Sequence, residues 1–329
     1  MIKAAIIGSG IGLKHFEAIN GYRNSKVKTI CEFNKIKFKE LKKKFKNINI
    51  VSNDNEIFQD NEINLVSIAS YDDNHFSQIV RCIKNGKNII VEKPMCLKLK
   101  ELNIIKKLLK KHPKIKIISN LVLRTNSLFL NFKKKMNYKN IFYIEADYLW
   151  GRKKKLFEWR SKINNYSITL GAAIHMIDLV MWLTKKKPIK VTTFGNNIAT
   201  KNTKFKKESC MVYIFEFPNK VIVKITANAS CVYNHFHEVK IFEKKKTIIN
   251  SYLGSFLFNQ KNNNTLFKRL NFNYPDKKNR KKLIQNFIDV LMNKKIQPVV
   301  TIKEQFDLMS VCFSSDKSLK LNKTIKIKY

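Results

Sequence analysis

The sequence predicts an α/β protein of two domains: an N-terminal doubly wound parallel sheet, then a C-terminal α/β domain with an open, mostly antiparallel sheet. Three observations predict this. The chain has 329 residues, 44% of them hydrophobic, which is enough for two cored domains. Strand and helix signals alternate over the first 120 residues, and longer strands follow one another afterwards. We therefore expect domains at residues 1–120 and 121–329.

Short apolar runs separated by charged, helix-forming stretches make up the first domain. Such alternation is typical of parallel βαβ units. The predicted strands are Lys3–Ile7, Val27–Cys31, Ile48–Val51, Leu65–Ala69, Asn88–Val91 and Ile115–Ser119. The predicted helices are Leu13–Asn20, Lys35–Phe45, Phe76–Lys84 and Lys98–Lys111.

The second domain shows longer alternating runs joined by turn residues, a pattern that favours antiparallel strands. The predicted strands are Ile141–Trp150, Ile189–Phe194, Cys210–Phe217, Val221–Ala227, Glu238–Glu243 and Thr247–Leu253. We expect an exposed loop at Asn259–Asn264. The predicted helices are Ala172–Thr184, Lys281–Met292 and one opened by the capping-box pattern Thr301-Ile-Lys-Glu304.

The net charge of +41 comes from 65 Lys and Arg residues against 24 Asp and Glu residues. Lys accounts for 58 of the basic residues and Arg for seven, and Asn occurs 37 times, so a bias toward A/T-rich codons explains the excess. The charge is spread along the chain, with +13 in residues 1–120 and +28 in the remainder. We therefore expect no specific nucleic-acid partner. A polyanion-binding protein stays an alternative that rests on charge alone.

The chain contains no long apolar segment that predicts a membrane span, and its first residues lack the pattern of a secretory signal. The six cysteines are widely spaced and form no C-x-x-C motif, which suits a reducing cytoplasm. No His and Cys residues have the spacing of a metal site. The alternating stretch His235-Phe-His237 predicts exposed side chains rather than metal ligands.

A glycine-rich turn follows the first predicted strand. Glycines at such a junction let backbone N–H groups and a helix N-terminus approach a pyrophosphate. The turn reads Gly8-Ser9-Gly10-Ile11-Gly12, which is one residue shorter than the usual G-x-G-x-x-G. Glu32 ends the second predicted strand, where an acid can accept hydrogen bonds from a ribose diol. The alternative is a tight turn with an exposed glutamate.

Two further segments could carry chemistry. Glu92-Lys93-Pro94 directly follows a predicted strand, at the sheet edge where ligands bind, although most lysines of such a chain are solvated. In Gly171-Ala-Ala-Ile-His175-Met-Ile-Asp178, the imidazole of His175 could, in its neutral form, accept a proton from an alcohol. Asp178 shares its helix face and could orient the ring. The alternative is a structural histidine.

These segments, together with His15 and Ser70-Tyr-Asp-Asp-Asn-His75, resemble the glucose–fructose oxidoreductase / inositol dehydrogenase / rhizopine catabolism (Gfo/Idh/MocA) family in order and spacing. The resemblance covers essentially the whole chain, and Glu-Lys-Pro is its most specific mark. It implies an N-terminal Rossmann domain and a C-terminal α/β domain. It also implies NAD(P)-dependent hydride transfer at a carbon of a sugar, cyclitol or nucleotide sugar.

The resemblance implies roles for individual residues. Lys93 would contact the reacting hydroxyl and His175 would act as acid or base. Cofactor contacts are expected from Gly8, Ser9, Gly10, Ile11, Gly12, Glu32, Ser70, His75, Glu92 and Lys93. Substrate contacts are expected from Arg124, Tyr148, Trp159, Arg160, His175 and Asp178. We expect NAD rather than NADP because Glu32 would repel a 2′-phosphate.

The chain departs from the family at three places. The glycine loop is short, Tyr71 stands where many members have Pro, and Gly171 stands where many have Asp or Asn. The last change keeps open an alternative from another class, a catalytically lapsed NAD-binding sensor or assembly protein. We also expect a homo-oligomer formed through the C-terminal sheet, because an open sheet face commonly seeks a partner.

Overall fold

The computed structural model describes residues 1–272, 274–275, 278–293 and 295–329. The chain forms two compact units. The first comprises Met1–Thr125 and Lys277–Gln305, and the second comprises Asn126–Asp276 and Phe306–Tyr329. The chain thus leaves the first unit after residue 125 and returns to it for one later segment.

The strands of the described residues are labelled in chain order. They are β1 (Ile2–Ile7), β2 (Ser25–Cys31), β3 (Asn49–Val51), β4 (Leu65–Ile68), β5 (Asn88–Val91), β6 (Ile117–Ser119), β7 (Ile141–Leu149), β8 (Lys190–Asn196), β9 (Cys210–Glu216), β10 (Ile222–Asn228), β11 (Phe236–Glu243), β12 (Lys246–Ser251), β13 (Gly254–Lys261), β14 (Asn264–Leu270) and β15 (Ile325–Lys326).

The α-helices are labelled in the same way. They are α1 (Gly12–Ile19), α2 (Lys35–Lys44), α3 (Asn55–Gln59), α4 (His75–Lys84), α5 (Leu99–Lys111), α6 (Ser127–Lys135), α7 (Trp159–Lys162), α8 (Ile174–Thr184), α9 (Asn279–Met292) and α10 (Ile302–Leu321). Short 3₁₀ turns lie at Val122–Thr125, Lys153–Leu156, Ile198–Thr200 and Pro218–Lys220, and a π-helical turn, Thr169–Ala173, leads into α8.

The first unit contains a six-stranded sheet in the order β3-β2-β1-β4-β5-β6, with every neighbouring pair parallel. Its central strands are apolar along nearly their whole length, as expected of strands covered on both faces. Ile6, Ile30, Val66 and Ile90 are fully buried. The strand order reverses beside β1, so the doubly wound parallel sheet that the sequence predicts is confirmed.

The second unit contains a nine-stranded sheet in the order β14-β13-β12-β11-β7-β10-β9-β8-β15. All neighbouring pairs are antiparallel except β7 and β10, which run parallel. Burial alternates along β10, where Val223, Ile225 and Ala227 are buried. One face therefore packs on a core, which confirms the open, mostly antiparallel sheet.

Several elements differ from the sequence-based expectations. Helices α3, α6 and α7 were not predicted, and neither were strands β13, β14 and β15. The stretch expected as an exposed loop, Asn259–Asn264, instead closes a hairpin, with only the turn between β13 and β14 outside the strands. Most residues of β14 are exposed and polar, so backbone pairing with β13, rather than hydrophobic alternation, makes it a strand.

The capping box at the start of α10 is confirmed. The backbone N–H of Thr301 donates to Glu304 Oε2 at 2.9 Å, and the N–H of Glu304 donates to Thr301 Oγ1 at 3.3 Å. These bonds satisfy donors that a helix start leaves unpaired. None of the described helices combines the length and the apolar character that crossing a bilayer requires.

Candidate active site

The three glycines of the turn after β1 differ in how much space surrounds each of them. Gly8 has a φ of +90°, and a Cβ there would lie 2.6 Å from the Ala69 carbonyl oxygen. A Cβ on Gly12 would lie 2.8 Å from Ile6 Cγ2, so this glycine allows α1 to pack closely on β1. A Cβ on Gly10 would meet nothing within 4 Å. The turn therefore has one open side, at which a phosphate could approach the start of α1.

Glu32, at the end of β2, is buried and bonded to this turn. Its Oε2 accepts hydrogen bonds from the Ser9 N–H at 3.0 Å and from the Ser9 hydroxyl, and its Oε1 accepts from the Asn34 N–H at 2.8 Å. Burial would raise the pKa of the Glu32 carboxyl, but these bonds and the charge of Lys37 outweigh it and lower the pKa. Glu32 is thus a carboxylate that also shapes the turn.

Next to the turn lies a partly buried polar cluster centred on Glu92. His15 Nδ1 bonds to Ser67 Oγ at 2.7 Å, and its Nε2 bonds to Glu92 Oε1 at 3.0 Å. Asn120 Nδ2 donates to the same Glu92 oxygen at 2.6 Å, and Arg280 Nε lies 3.5 Å from it.

Burial opposes the ionisation of Glu92, yet the bond from His15 and the charge of Arg280 hold the pKa of its carboxyl well below its usual range. Sequence reasoning assigned Glu92 to the cofactor and missed Ser67, Asn120 and Arg280 as its surroundings. Asn120 directly follows the buried strand β6, and this position was the sequence signal that could have identified it as a site residue.

His75 links the segments that follow β4 and β5. It is fully buried, with Nδ1 2.7 Å from the Pro94 carbonyl oxygen and Nε2 3.2 Å from the Ser70 carbonyl oxygen. The Lys93-Pro94 peptide bond is cis, and Lys93 itself is partly exposed. The backbone around Lys93 is therefore fixed from both sides, by the Glu92 cluster and by His75.

Arg124 occupies a buried position in the first unit. Its Nη1 donates to Glu304 Oε1 at 2.7 Å and to the Val299 carbonyl at 3.3 Å, and only 2% of the residue is exposed. These contacts tie the turn after β6 to the start of α10. Its proposed contact with substrate stays a prediction.

In the second unit, one tyrosine and three histidines form the imidazole cluster, defined as Tyr148, His175, His235 and His237. The Tyr148 ring is nearly parallel to that of His175, with centroids 5.9 Å apart and 8° between the planes. Tyr148 also meets the rings of His235 at 5.3 Å and His237 at 4.7 Å. The strand register explains this, because His237 on β11 lies opposite Tyr148 on β7.

The two histidines near β11 stay neutral at pH 7. Burial is the largest cause of the shift at each, lowering the pKa of His237 to about 3 and that of His235 to about 4. Tyr274 bonds to His237 Nδ1 at 2.5 Å. The expectation that this stretch is exposed is therefore wrong for His237, which is 7% exposed, because the antiparallel pairing turns it toward Tyr148.

Gly171 lies against the ring of Tyr166. A Cβ on Gly171 would stand 2.0 Å from the Tyr166 hydroxyl oxygen and 2.5 Å from Cζ. The phenol thus fills the space that a larger side chain at position 171 would need. On the following helix, α8, His175 is partly exposed and Asp178 is 1% exposed.

The guanidinium of Arg160 contacts two indole rings. Its Cζ lies 4.1 Å from the ring centre of Trp159 and 5.3 Å from that of Trp150. Trp150 in turn meets Tyr148 edge-on at 6.2 Å. The second unit therefore joins Tyr148, Trp159, Arg160 and His175 through ring contacts, and their assignment to substrate binding stays a prediction.

Two family profiles match the chain. Residues 2–120 match the profile described as oxidoreductase family, NAD-binding Rossmann fold, of Gfo/Idh/MocA proteins. Residues 140–249 match the profile of the GFO/IDH/MocA C-terminal domain. No curated protein matches the chain.

Solved structures of similar fold cover almost the whole chain. Myo-inositol 2-dehydrogenase from Lactobacillus plantarum is 18% identical over 99% of each chain, with a TM-score of 0.84. Scyllo-inositol dehydrogenase from Lactobacillus casei, solved with NAD(H) and scyllo-inositol, is 18% identical over 99% of each chain, with a TM-score of 0.82. A proposed NADPH-dependent oxidoreductase from Desulfitobacterium hafniense is 16% identical over 99% of this chain and 97% of its own, with a TM-score of 0.85. At such identities, the likeness establishes a shared fold.

Proposed function

Because the chain belongs to the Gfo/Idh/MocA family of oxidoreductases, we propose that it transfers a hydride between NAD(H) and a hydroxyl-bearing carbon of a sugar, cyclitol or nucleotide sugar. The observation that carries the proposal is the glycine turn. It excludes side chains at Gly8 and Gly12, and it leaves Gly10 open beside the start of α1. These residues fit a dinucleotide, whose nicotinamide would supply the hydride chemistry when bound.

The first unit would bind the cofactor through this turn and Glu32. Backbone N–H groups at the start of α1 would hold the pyrophosphate. Glu32 Oε1 accepts one hydrogen bond within the protein and keeps a lone pair for a ribose hydroxyl. Its lowered pKa keeps the carboxylate charged, which would oppose a 2′-phosphate. We therefore propose a preference for NAD over NADP.

Lys93 and His175 would handle the proton of the substrate hydroxyl. During oxidation, His175 would accept that proton as the carbon gives up its hydride, and the ammonium group of Lys93 would donate a hydrogen bond to the same oxygen. In the reverse direction His175 would return the proton. The ring of His175 is held by its contact with Tyr148, which supports an oriented imidazole rather than a freely rotating one.

A second candidate is the lapsed dehydrogenase that binds NAD without turning over a substrate. Gly171 favours it, since this position carries no carboxylate, and the Tyr166 ring leaves no room for one. The Tyr166 hydroxyl stands in that space instead. If the Tyr166 hydroxyl takes over the role of the missing carboxylate, the chain is an active dehydrogenase. If it does not, the lapsed dehydrogenase is favoured.

The test combines cofactor binding with a substrate panel. Quenching of protein fluorescence measures NADH affinity, and NADH formation at 340 nm measures oxidation of cyclitols, free sugars and nucleotide sugars. Under the proposal, NADH binds and at least one compound supports turnover that is lost in His175→Ala. Binding without any turnover would favour the lapsed enzyme, and absence of binding would contradict both candidates.

We further propose a cytoplasmic homo-oligomer. The six free cysteines, four of them buried, support a reducing compartment. Phe194, Ile214 and Ile222 are exposed on the outward face of the second unit's sheet, which supports self-association there. Light scattering coupled to size exclusion tests the latter, and a monomer at micromolar concentration would contradict it.

A further inference from the structure

The helix that carries His175, α8, is preceded by the π-helical turn Thr169–Ala173 rather than by a regular α-helical turn. The Ile174 N–H donates to the Thr169 carbonyl, five residues earlier. Turns of this kind are rare and occur frequently at functional sites. Because His175 directly follows Ile174, its position depends on the contacts that hold this turn in place.

The side chain of Asp316, on α10, contacts the segment that opens the turn. Ser167, two residues before the turn, donates from its hydroxyl to Asp316 Oδ2 at 2.8 Å. The Leu170 N–H, inside the turn, donates to the Ser167 hydroxyl oxygen at 3.2 Å. A backbone N–H of the turn is therefore connected to the Asp316 carboxylate through one hydroxyl group.

The Thr169 hydroxyl is a second donor to Asp316. Its oxygen also bonds to the Tyr213 hydroxyl at 2.9 Å. A threonine hydroxyl has one proton, so donation to Asp316 requires Tyr213 to donate to Thr169. The Tyr213 phenol keeps its proton at pH 7, because burial raises its pKa well above the ordinary value. Two hydrogen-bond chains thus end on one carboxylate.

No cation balances this carboxylate. Asp316 is partly buried and forms no ion pair within the part of the chain that the structure describes. Glu208, before β9, adds a like charge, and Tyr213 on β9 is neutral. Lys207 donates instead to a backbone carbonyl, and the group one turn earlier on α10 is the buried thiol of Cys312. Hydroxyl donors therefore stabilise the charge of Asp316.

Burial is the largest cause that raises the pKa of the Asp316 carboxyl to about 6, and the two hydroxyl donors oppose it only in part. The ordinary value is 3.8, so between pH 3.8 and 6 the folded chain binds a proton that the unfolded chain does not. The free energy of unfolding therefore falls as the pH rises through this range. At neutral pH the ionised carboxylate lowers stability, and its contribution is a fixed acceptor for the turn.

We propose that Asp316 is a positioning residue whose carboxylate holds the π-helical turn and, through it, the imidazole of His175. This rests on the proposed function, in which His175 moves the proton of the substrate hydroxyl. While Asp316 is ionised, both hydroxyls donate to it. Protonation makes one carboxyl oxygen a donor, so the contact with the turn changes. The position of His175 is then sensitive to pH near 6.

The first test needs no turnover. The NMR signal of the Gly171 amide reports on the turn, since this N–H donates to the Ser167 carbonyl at 2.9 Å. The signal of the His175 ring is sensitive to small displacements because the Tyr148 ring lies nearly parallel to it. In wild-type protein, the Gly171 signal should shift with the midpoint, near pH 6, of the ¹³C-labelled Asp316 carboxyl. In Asp316→Asn this step should be absent, and at pH 8 both reporter signals should differ from wild type.

Asp307→Asn is the matched control, because Asp307 is another partly buried carboxylate of α10 and pairs with a lysine at 3.2 Å. It should leave both reporter signals in their wild-type positions. Ser167→Ala removes one donor and keeps the carboxylate, so it should raise the midpoint of Asp316 by about one pH unit. An unchanged midpoint in Ser167→Ala would contradict the contact, even if Asp316→Asn fails to fold.

The second test measures kcat, KM and melting temperature at pH 8 with a confirmed substrate. Asp316→Asn should lower kcat by about 10- to 100-fold and change KM by less than about threefold, because a displaced imidazole slows proton transfer. The melting temperature should stay equal or rise, since an unpaired charge is removed. A purely structural residue would lower kcat and melting temperature together.

That joint loss would overturn the proposal, as would a Gly171 signal that does not follow the titration of Asp316, or equal effects in Asp307→Asn. A midpoint of Asp316 near 4 would also contradict it. If both reporter signals depend on Asp316 but no compound supports turnover, the positioning role stands and the proposed reaction fails.

Discussion

The glycine turn of the first unit and the imidazole cluster of the second differ in the charge state of their ionisable side chains. In the first unit, the buried Glu32 and the partly buried Glu92 are ionised, and hydrogen bonds and nearby cations within the unit stabilise their charge. In the second, buried imidazoles are held neutral, and Arg152 and Arg160 lie beside them without carboxylate partners in the described residues. The difference teaches that the first unit stabilises its carboxylates with groups of its own, whereas the second lowers the pKa of its imidazoles by burial.

The two units also differ in how the fold brings their candidate site residues close together. In the parallel sheet, the chain direction brings the ends of β1, β2, β4 and β5 to one edge, so short motifs after successive strands become neighbours. In the antiparallel sheet, neighbours depend on register and on segments far apart in sequence, as for His237 and Tyr274.

The largest expected effect is on turnover. Lys93→Met should keep the fold and most NADH binding, because Glu92 and His75 fix the surrounding backbone, while kcat falls by about 10²–10⁴. The measurement is kcat with a confirmed substrate, next to NADH affinity and melting temperature. Lys98→Met, an exchange at another partly exposed lysine outside the proposed site, is the control. Near-wild-type turnover in Lys93→Met would remove this lysine from the mechanism.

The packing of Gly171 can be tested without any substrate. Gly171→Ala should lower the free energy of unfolding by about 1–3 kcal/mol, because the new Cβ would collide with the Tyr166 phenol. In a Tyr166→Ala background, the same change should cost about 0.5 kcal/mol or less. Tyr166→Phe should not relieve the collision, since Cζ alone lies 2.5 Å from the built Cβ. Chemical denaturation of the wild type, the three single variants and the two double variants measures the coupling, and additive costs of Gly171→Ala and Tyr166→Ala would contradict the contact.

The neutral state of His237 predicts a pH dependence of stability. The folded pKa is about 3 and the ordinary value is 6.5, so below pH 6.5 the unfolded chain binds a proton that the folded chain does not. The free energy of unfolding should therefore fall as the pH drops from 6.5 toward 3. Replacing the ring in His237→Phe should make this decline shallower. Parallel stability curves for the two proteins over that range would mean that His237 titrates normally.

The smallest effect concerns cofactor choice. Wild-type protein should bind NADH about tenfold more tightly than NADPH, because the charged Glu32 opposes the 2′-phosphate. Glu32→Ala should bring the two dissociation constants together, although it also removes the acceptor of the Ser9 N–H. Glu32→Gln keeps a hydrogen-bond acceptor without the charge and separates these two effects. An unchanged NADH to NADPH ratio in both variants would exclude Glu32 as the determinant.

Individual residues show which parts of the site follow from local sequence and which do not. The glycine turn and Glu32 were identifiable from their position after strands, and the structure joins them through Ser9. His237 was misjudged because its burial depends on the residue opposite, which alternation along a single strand does not reveal. The helix that carries both His175 and Asp178 was predicted. The contact of the Tyr166 phenol with Gly171 was not, because Gly171 lies in a π-helical turn that the sequence pattern did not indicate.

The sequence by itself determined the two sheet types, the dinucleotide-type turn, and the order of the motifs that place the chain in its family, because hydrophobic periodicity and glycine sterics are local properties. Only the tertiary structure decided which charges are paired. Arginine in the sequence carries no sign of whether a carboxylate will face it, and that depends on strand register and on returning segments such as α9 and α10. The pairing of Arg280 with Glu92, and the absence of such a partner for Arg160 among the described residues, follow from that long-range arrangement.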